Sequence, residues 1–154
     1  MRPTESIQDC LKLRSATVAD RGRVEALLLA ESLTVDGIPE DMAGYTVAEV
    51  AGEGVIAVAG LEQYGDAALL RSTAVAPNWR GAGVGRVLVE EVLNRAQREG
   101  AREIYLLTFS AEAWFPRFGF RCISREEVPA GVTASVQFQG ACPDTATVMK
   151  RPCG

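Results

Sequence analysis

Apolar and polar residues alternate along several short stretches of the chain, and elsewhere the apolar residues recur at helical spacing. Alternation or a continuous apolar run predicts strands over residues 11–14, 45–50, 55–61, 67–76, 102–108, 120–124 and 145–149. Helical spacing predicts a helix from Thr17 or Asp20 to about Leu33, a helix over residues 84–99, a short helix carrying Trp114 and Phe115, and a helix over residues 129–138.

The order of these elements predicts the fold class. Hairpin-connected strands come first, and a strand–loop–helix–strand crossover follows in the middle of the chain. This order predicts an α/β (α+β) fold with a mixed, mostly antiparallel sheet flanked by helices. The 154 residues suffice for one domain, which we place at residues 10–152 after a flexible N-terminus of residues 1–9.

A glycine-rich segment joins the strand predicted at residues 67–76 to the long helix that follows. Its glycines at alternate positions, Gly81, Gly83 and Gly85, leave the backbone nearly free of side chains. Backbone N–H groups at a helix start favour an anion, so the segment predicts a phosphate-binding loop. Arg86 follows Gly85 where a Walker A loop has lysine, and the spacing differs from the dinucleotide-binding fingerprint.

A third kind of phosphate loop matches. Arg80-Gly-Ala-Gly83-Val-Gly85 fits Arg/Gln-x-x-Gly-x-Gly/Ala, the acetyl-CoA loop of the GNAT N-acetyltransferase superfamily, which the chain resembles. Thr73-Ala-Val-Ala-Pro resembles the family's Leu-Ala-Val-x-Pro, and Ala113-Trp-Phe-Pro-Arg-Phe-Gly-Phe resembles its F-Y-x-x-x-G-F signature. The resemblance implies an enzyme of the GNAT fold that transfers an acetyl group from acetyl-CoA directly to the primary amine of a small acceptor.

The resemblance also implies which residues bind the cofactor. Backbone amides of residues 80–85 would bind the CoA pyrophosphate, and residues 73–75 would pair with the pantetheine arm and polarise the thioester carbonyl. The implied cofactor-binding residues are Thr73, Ala74, Val75, Arg80, Gly81, Ala82, Gly83, Val84 and Gly85. No metal is expected.

Two stretches carry a closer likeness within the superfamily. Residues 60–72 and the tail with Glu127-Val-Pro, Phe138 and Cys142-Pro are similar to the arsenic-resistance N-acetyltransferases of ars operons, and more distantly to the acetyltransferase domain of N-acetylglutamate synthases. This likeness implies an amino-acid-like acceptor such as an organoarsenical. The alternatives are a general amino-acid N-acetyltransferase and a non-catalytic acyl-CoA-binding module.

Arg71 stands inside an otherwise apolar strand, where a guanidinium must find an anion. Strand alternation predicts Arg71 and Thr73 on one face. Arg71, with Ser72 beside it, is therefore a candidate for binding an acidic group of the acceptor. The alternative is a structural ion pair with Glu62, Asp66 or Glu49.

The catalytic candidates are Glu62 and Ser110. Glu62 is a candidate base for the acceptor amine, against the alternative of a carboxylate paired with Arg71. Phe115 stands where many family members have a tyrosine that protonates the departing thiolate. Ser110, Thr108, Tyr105 or solvent would have to supply that proton.

Composition narrows the remaining chemistry. The chain has no histidine, which excludes Ser-His-Asp and Cys-His nucleophiles and histidine metal sites. The formal net charge of −4 argues against nucleic acid, and no apolar run is long enough for a membrane span. We expect a cytoplasmic protein, with a homodimer left open.

The four cysteines are scattered, which favours reduced thiols over capture of a metalloid.

Overall fold

The computed structural model describes residues 11–108, 111, 113–133 and 147–152. In chain order, the strands are β1 Leu11–Ser15, β2 Tyr45–Val50, β3 Gly54–Tyr64, β4 Ala67–Val75, β5 Glu103–Thr108, β6 Arg121–Ile123 and β7 Thr147–Pro152. The α-helices are α1 Arg21–Ala30, α2 Val84–Arg98 and α3 Ala130–Thr133. Short 3-10 helices cover Val18–Asp20, Pro77–Trp79, Phe115–Phe118 and Arg125–Glu127.

The strands form one sheet in the order β1-β2-β3-β4-β5-β7-β6. β4 and β5 run parallel, whereas β1–β2, β2–β3, β5–β7 and β6–β7 are antiparallel. The predicted mixed, mostly antiparallel sheet with helices is therefore confirmed. β3 and β4, in the middle of this order, are buried along most of their length, which explains why they read as apolar runs rather than as alternating strands.

The described residues pack as two compact units. Unit one comprises residues 11–60 and Ser72–Val92, and unit two comprises Leu61–Arg71 and the described residues from Leu93 onwards. In unit one, fully buried side chains include Val24, Leu28, Val47, Ile56 and Leu88. Unit two has a core cluster of Ala67, Leu69, Tyr105, Val128, Val132 and Val148. The single domain over residues 10–152 stays a prediction, and the N-terminal segment 1–9 lies outside the described residues.

Of the two predicted caps of the first helix, Thr17 and Asp20, the structure has Asp20. α1 begins at Arg21, because a 3-10 turn at Val18–Asp20 precedes it and the Asp20 carboxylate accepts a hydrogen bond from the Thr17 amide at 2.8 Å. The helix ends at Ala30, before the predicted end near Leu33. β3 continues to Tyr64, past the predicted end at residue 61. The turn that follows uses Gly65, whose φ of 68° suits glycine.

The C-terminal elements differ in extent. β7 spans Thr147–Pro152, where residues 145–149 were predicted, because its pairing with β5 continues to Glu103 opposite Pro152. The helix predicted over residues 129–138 is described only as Ala130–Thr133. Within the described part of the chain, no helix is both long and apolar enough to cross a bilayer.

An ion-pair network joins β1, β2 and the turn before α1 in unit one. Arg14 in β1 donates to both carboxylate oxygens of Asp20, at 2.7 and 2.9 Å, and to Glu49 in β2 at 3.1 Å. Asp20 is buried, with 8% of its surface exposed. The hydrogen bonds from Arg14 are the main reason why the pKa of Asp20 falls to about 2.

This lowered pKa predicts acid-sensitive stability. Because the pKa of Asp20 is lower in the folded protein than in the unfolded chain, its ionised carboxylate stabilises the fold at pH values above the unfolded pKa of about 3.9. This stabilisation is lost as the pH falls towards 2 and the carboxylate is protonated. Asp20→Asn should lower the free energy of unfolding at pH 7 by about 2 kcal/mol. The difference from wild type should shrink between about pH 4 and pH 2 in urea titrations.

Glu90→Gln serves as the control, because Glu90 forms a solvent-exposed pair with Arg86. Its unfolding free energy should stay within about 0.5 kcal/mol of wild type at each pH. A difference between Asp20→Asn and wild type that does not change with pH would contradict the prediction.

Candidate functional site

The glycine segment forms the entry to α2 in unit one. After the 3-10 helix Pro77–Trp79, the backbone takes positive φ at Gly81 (80°) and Gly83 (86°), and α2 begins at Val84. The Val87 amide closes the first turn on the Gly83 carbonyl at 3.1 Å. The amides that precede this bond have no carbonyl one turn earlier in the helix to accept from them, and helix starts with such amides favour anions.

Gly81 is exposed, and a Cβ placed on it would meet no atom within 4 Å. The space over this part of the loop is therefore open to a ligand. The predicted loop residues lie together here, and cofactor binding by them stays a prediction.

Arg80, the first residue of the loop motif, forms an ion pair with Glu31 at the C-terminal end of α1. Both side chains are partly exposed, at 49% and 31%. A pair of this exposure is weak, so an anion at the loop can compete with Glu31 for the Arg80 guanidinium.

Residues 73–75 form the last part of β4 within unit one. Ala74 is buried, whereas Thr73 and Val75 are half-buried. The Ala76 amide, directly after the strand, donates to the Ile56 carbonyl of β3 at 2.8 Å. This bond holds the end of β4 close to β3 just before the glycine segment.

Ser72 breaks the regular geometry of β4. Its φ of 57° is left-handed, so the strand alternation assumed for Arg71 and Thr73 does not continue through it. The buried hydroxyls of Ser72 and Tyr45 lie 2.9 Å apart, at hydrogen-bond distance. The backbone therefore changes direction at Ser72, directly after Arg71.

Arg71 lies in unit two, where its side chain is fully buried and forms an ion pair with Glu62 of β3 at 2.9 Å. The other Glu62 oxygen accepts a hydrogen bond from the Tyr64 hydroxyl at 2.5 Å. The ion pair considered as the alternative from sequence is therefore present. Roles for Arg71 in acceptor binding and for Glu62 as a base stay predictions.

The segment that carries Phe115 is an aromatic cluster in unit two. The Phe115 ring is buried and lies 5.0 Å from Trp114 and 5.7 Å from Phe120, centroid to centroid. Gly119 ends this 3-10 helix with a φ of 89°. Ser110 lies outside the described residues, so its catalytic role stays a prediction.

The hydroxyls considered as replacements for the family tyrosine have other partners. Thr108 Oγ1 accepts from the Ala111 amide at 3.0 Å. The Tyr105 hydroxyl donates to Glu103 at 3.2 Å, and Lys150 pairs with the same carboxylate at 2.5 Å. Burial, together with the negative charge of Glu103, raises the pKa of Tyr105 to about 12. Tyr105 is therefore a poor proton donor at neutral pH.

The part of the chain that the structure describes contains no cluster of three or more acidic, cysteine or histidine side chains that could hold a metal. Cys122, the cysteine within that part, is an exposed free thiol in β6.

Comparison with known proteins identifies the family. Residues 41–122, more than half of the 154-residue chain, match the acetyltransferase (GNAT) domain family. The chain belongs to the GNAT acetyltransferase family. The matched residues include β3, β4, the glycine segment and α2, so the GNAT loop predicted from sequence lies within the family match.

Sequence relatives include longer and similarly sized proteins. An amino-acid acetyltransferase of Mannheimia succiniciproducens is 30% identical over 133 residues, which cover 80% of this chain and 30% of the relative. An uncharacterised N-acetyltransferase of Chlorobaculum tepidum is 31% identical over 127 residues, covering 76% of this chain and 79% of the relative. This GNAT chain thus spans about a third of the length of the amino-acid acetyltransferase that it matches.

Solved structures support the same fold. N-acetylglutamate synthase from Neisseria gonorrhoeae, in complex with coenzyme A and N-acetylglutamate, superposes with a TM-score of 0.80 at 19% identity. The match covers 94% of this chain and 35% of that one. A Mycobacterium tuberculosis protein in complex with CoA gives a TM-score of 0.77 at 21% identity, covering 93% and 99% of the two chains. At these identities the likeness shows the GNAT fold.

Two contacts at the site were not predicted from sequence. The ion pair of Arg80 with Glu31 could not be predicted from the spacing of residues in the sequence. The contact of Tyr45 with Ser72 could not be found from spacing either, and the hairpin of β2 and β3 indicates only that Tyr45 lies opposite Gly60. A glycine opposite an aromatic residue in a buried pair often marks a ring lying over the glycine.

The buried ion pair of unit two predicts a large stability cost on removal of its negative partner. Glu62→Gln should lower the free energy of unfolding by about 3 kcal/mol, because the buried Arg71 guanidinium keeps its charge and loses the Glu62 carboxylate. Urea titration at pH 7 measures this loss, with the exposed Glu90→Gln variant as the control. A Glu62→Gln protein as stable as the control would contradict a structural role for the pair.

Proposed function

We propose that this GNAT domain is an acetyl-CoA-dependent N-acetyltransferase that transfers the acetyl group directly to the primary amine of a small, amino-acid-like acceptor. The observation that carries the proposal is the glycine segment between β4 and α2. It has left-handed Gly81 and Gly83, open space over Gly81, and a helix start behind it. Membership of the GNAT family supports the reaction class.

The chain's own residues fit CoA. Backbone amides of residues 80–85 would bind the pyrophosphate, because amides at a helix start and a nearby guanidinium both favour phosphate. Residues 73–75 would bind the pantetheine arm through backbone groups, with Thr73 and Val75 only half-buried. The Neisseria and Mycobacterium structures, solved with CoA, lend support through their shared fold.

Direct transfer moves protons at two atoms. Starting from its ammonium form, the acceptor nitrogen loses one proton before it attacks the thioester carbonyl and a second as the amide forms. The thiolate released from the C–S bond gains one proton, and the other leaves to solvent. Glu62 remains our candidate base for the acceptor amine, although its oxygens already face Arg71 and Tyr64. Phe115 has no hydroxyl and cannot donate the proton that the thiolate gains. An ordinary thiol has a pKa of about 8.5, so the released CoA thiolate can take its proton from solvent near neutral pH.

The acceptor class is supported by the relatives. Relatives of this chain are named amino-acid acetyltransferases, and the Neisseria neighbour was solved with N-acetylglutamate. An organoarsenical amino acid is our finer proposal, based on the resemblance of residues 60–72 to arsenic-resistance N-acetyltransferases. A general amino-acid acetyltransferase is the alternative that the names of the relatives favour.

Gly81→Ala tests whether the glycine segment binds CoA, and a control glycine variant shows how much of the effect comes from backbone strain. The variant adds a Cβ in the open space of the loop, at a residue with φ of 80°. It should weaken CoA binding about tenfold, or about 1.4 kcal/mol, in isothermal titration. Gly52→Ala is the matched control, because Gly52 has φ of 84° and equally open surroundings in the β2–β3 turn.

Both glycine variants should lose about 1 kcal/mol of folding stability from the left-handed backbone. Equal CoA affinity in the two variants would contradict the loop assignment. Failure of the folded wild-type protein to bind CoA at high micromolar concentration would refute the proposed function.

An acceptor panel tests the chemistry. With acetyl-CoA present, release of free CoA thiol should be faster with an amino acid that carries an arsenic-containing side chain than with glutamate. Preference for glutamate would favour a general amino-acid acetyltransferase. CoA binding without turnover of any amine in the panel would favour a non-catalytic acyl-CoA-binding module.

A further inference from the structure

Tyr45, the first residue of β2, occupies a tightly defined place in unit one. It is 1% exposed and pairs with Gly60 of β3. A Cβ on Gly60 would lie 2.6 Å from the Tyr45 Cζ, so the ring rests directly against the Gly60 backbone. This contact leaves the ring little freedom and therefore fixes the position of its hydroxyl.

The hydroxyl of Tyr45 lies 2.9 Å from Ser72 Oγ, and both side chains are buried. Ser72 has a φ of 57° within β4. The other non-glycine residues described with positive φ, Ser32 and Met42, lie outside the strands and helices. Among the described residues other than glycine, Ser72 is therefore the one that has a left-handed φ inside a strand.

A left-handed conformation is strained for an L-residue, and it persists only where surrounding contacts determine it. The hydrogen bond between the two buried hydroxyls is such a contact. It links the Ser72 side chain to a ring that packing against Gly60 already holds in place. The left-handed geometry of Ser72 thus has a defined support in β2.

The hydrogen bond between Tyr45 and Ser72 bears on function because of the residues that follow Ser72. Residues 73–75 are the segment for which we propose pantetheine binding through backbone groups. A left-handed residue redirects the strand immediately before this segment, and so sets the direction of its N–H and C=O groups.

We propose that Tyr45 is a positioning residue for the cofactor segment. Through its hydroxyl it holds Ser72 left-handed and thereby orients the backbone of residues 73–75. The cofactor part of this inference rests on the proposed function, whereas the backbone part does not.

Tyr45→Phe tests the inference, because it removes only the hydroxyl. In the cofactor-free protein, it should shift the amide signals of Thr73, Ala74 and Val75 and speed their hydrogen exchange. In isothermal titration it should weaken CoA binding about fivefold, the effect of one net hydrogen bond. Tyr105→Phe is the matched control, since Tyr105 is also 1% exposed and hydrogen-bonded. It should leave the amide signals of residues 73–75 in place.

Ser72→Gly provides the second background, because glycine takes a φ of 57° without strain. In that background, Tyr45→Phe should change neither the amide signals of residues 73–75 nor the CoA affinity further. Equal effects of Tyr45→Phe in both backgrounds would show that Tyr45 does not act through Ser72.

A loss of folding stability in Tyr45→Phe with unchanged amide signals would overturn the positioning role. If wild-type protein binds no CoA, the proposed function fails. The amide measurements then still decide whether Tyr45 orients residues 73–75.

Discussion

Between residues 72 and 83 the backbone turns left-handed at Ser72, Gly81 and Gly83. Left-handed residues interrupt the hydrogen-bond ladders of strands and helices, and the amides near them become available to a ligand. The first of these residues lies inside β4, and the other two lie between β4 and α2. The proposed contacts with pantetheine and with pyrophosphate both depend on this change of backbone geometry. Glycine adopts it without support, whereas Ser72 has the Tyr45 hydroxyl.

A second constraint is the buried charge in unit two. Arg71 is fully buried, and Glu62 faces it at 2.9 Å. The pair balances its own charge, so an acidic group of an acceptor would have to compete with Glu62 for the guanidinium. The Tyr64 hydroxyl on the other Glu62 oxygen further defines where this carboxylate points. Acceptor recognition at these residues would therefore involve all three side chains rather than Arg71 alone.

Much of the fold was predictable because it follows from local patterns. Helical spacing located α2, and the apolar runs located β3 and β4. The boundaries that shifted at β3 and β7 depend on a left-handed glycine and a strand partner, and the choice between the two predicted caps of α1 depends on a capping carboxylate. Hydrophobic periodicity does not record such details, since each of them is set by one hydrogen bond or one backbone angle. The role of Ser110 stays a prediction from sequence.

The sequence by itself determined the glycine segment, the strand before it and the family to which both belong, because residue type and short-range spacing encode the family's loop motif directly. Tertiary structure decided the partners of the site residues. Tyr45 reaches Ser72 across 27 residues, and Glu31 reaches Arg80 across 49. Strand pairing and helix packing, rather than sequence spacing, bring these atoms together. The same is true of Arg71, for which the sequence required an anion and the fold selected Glu62.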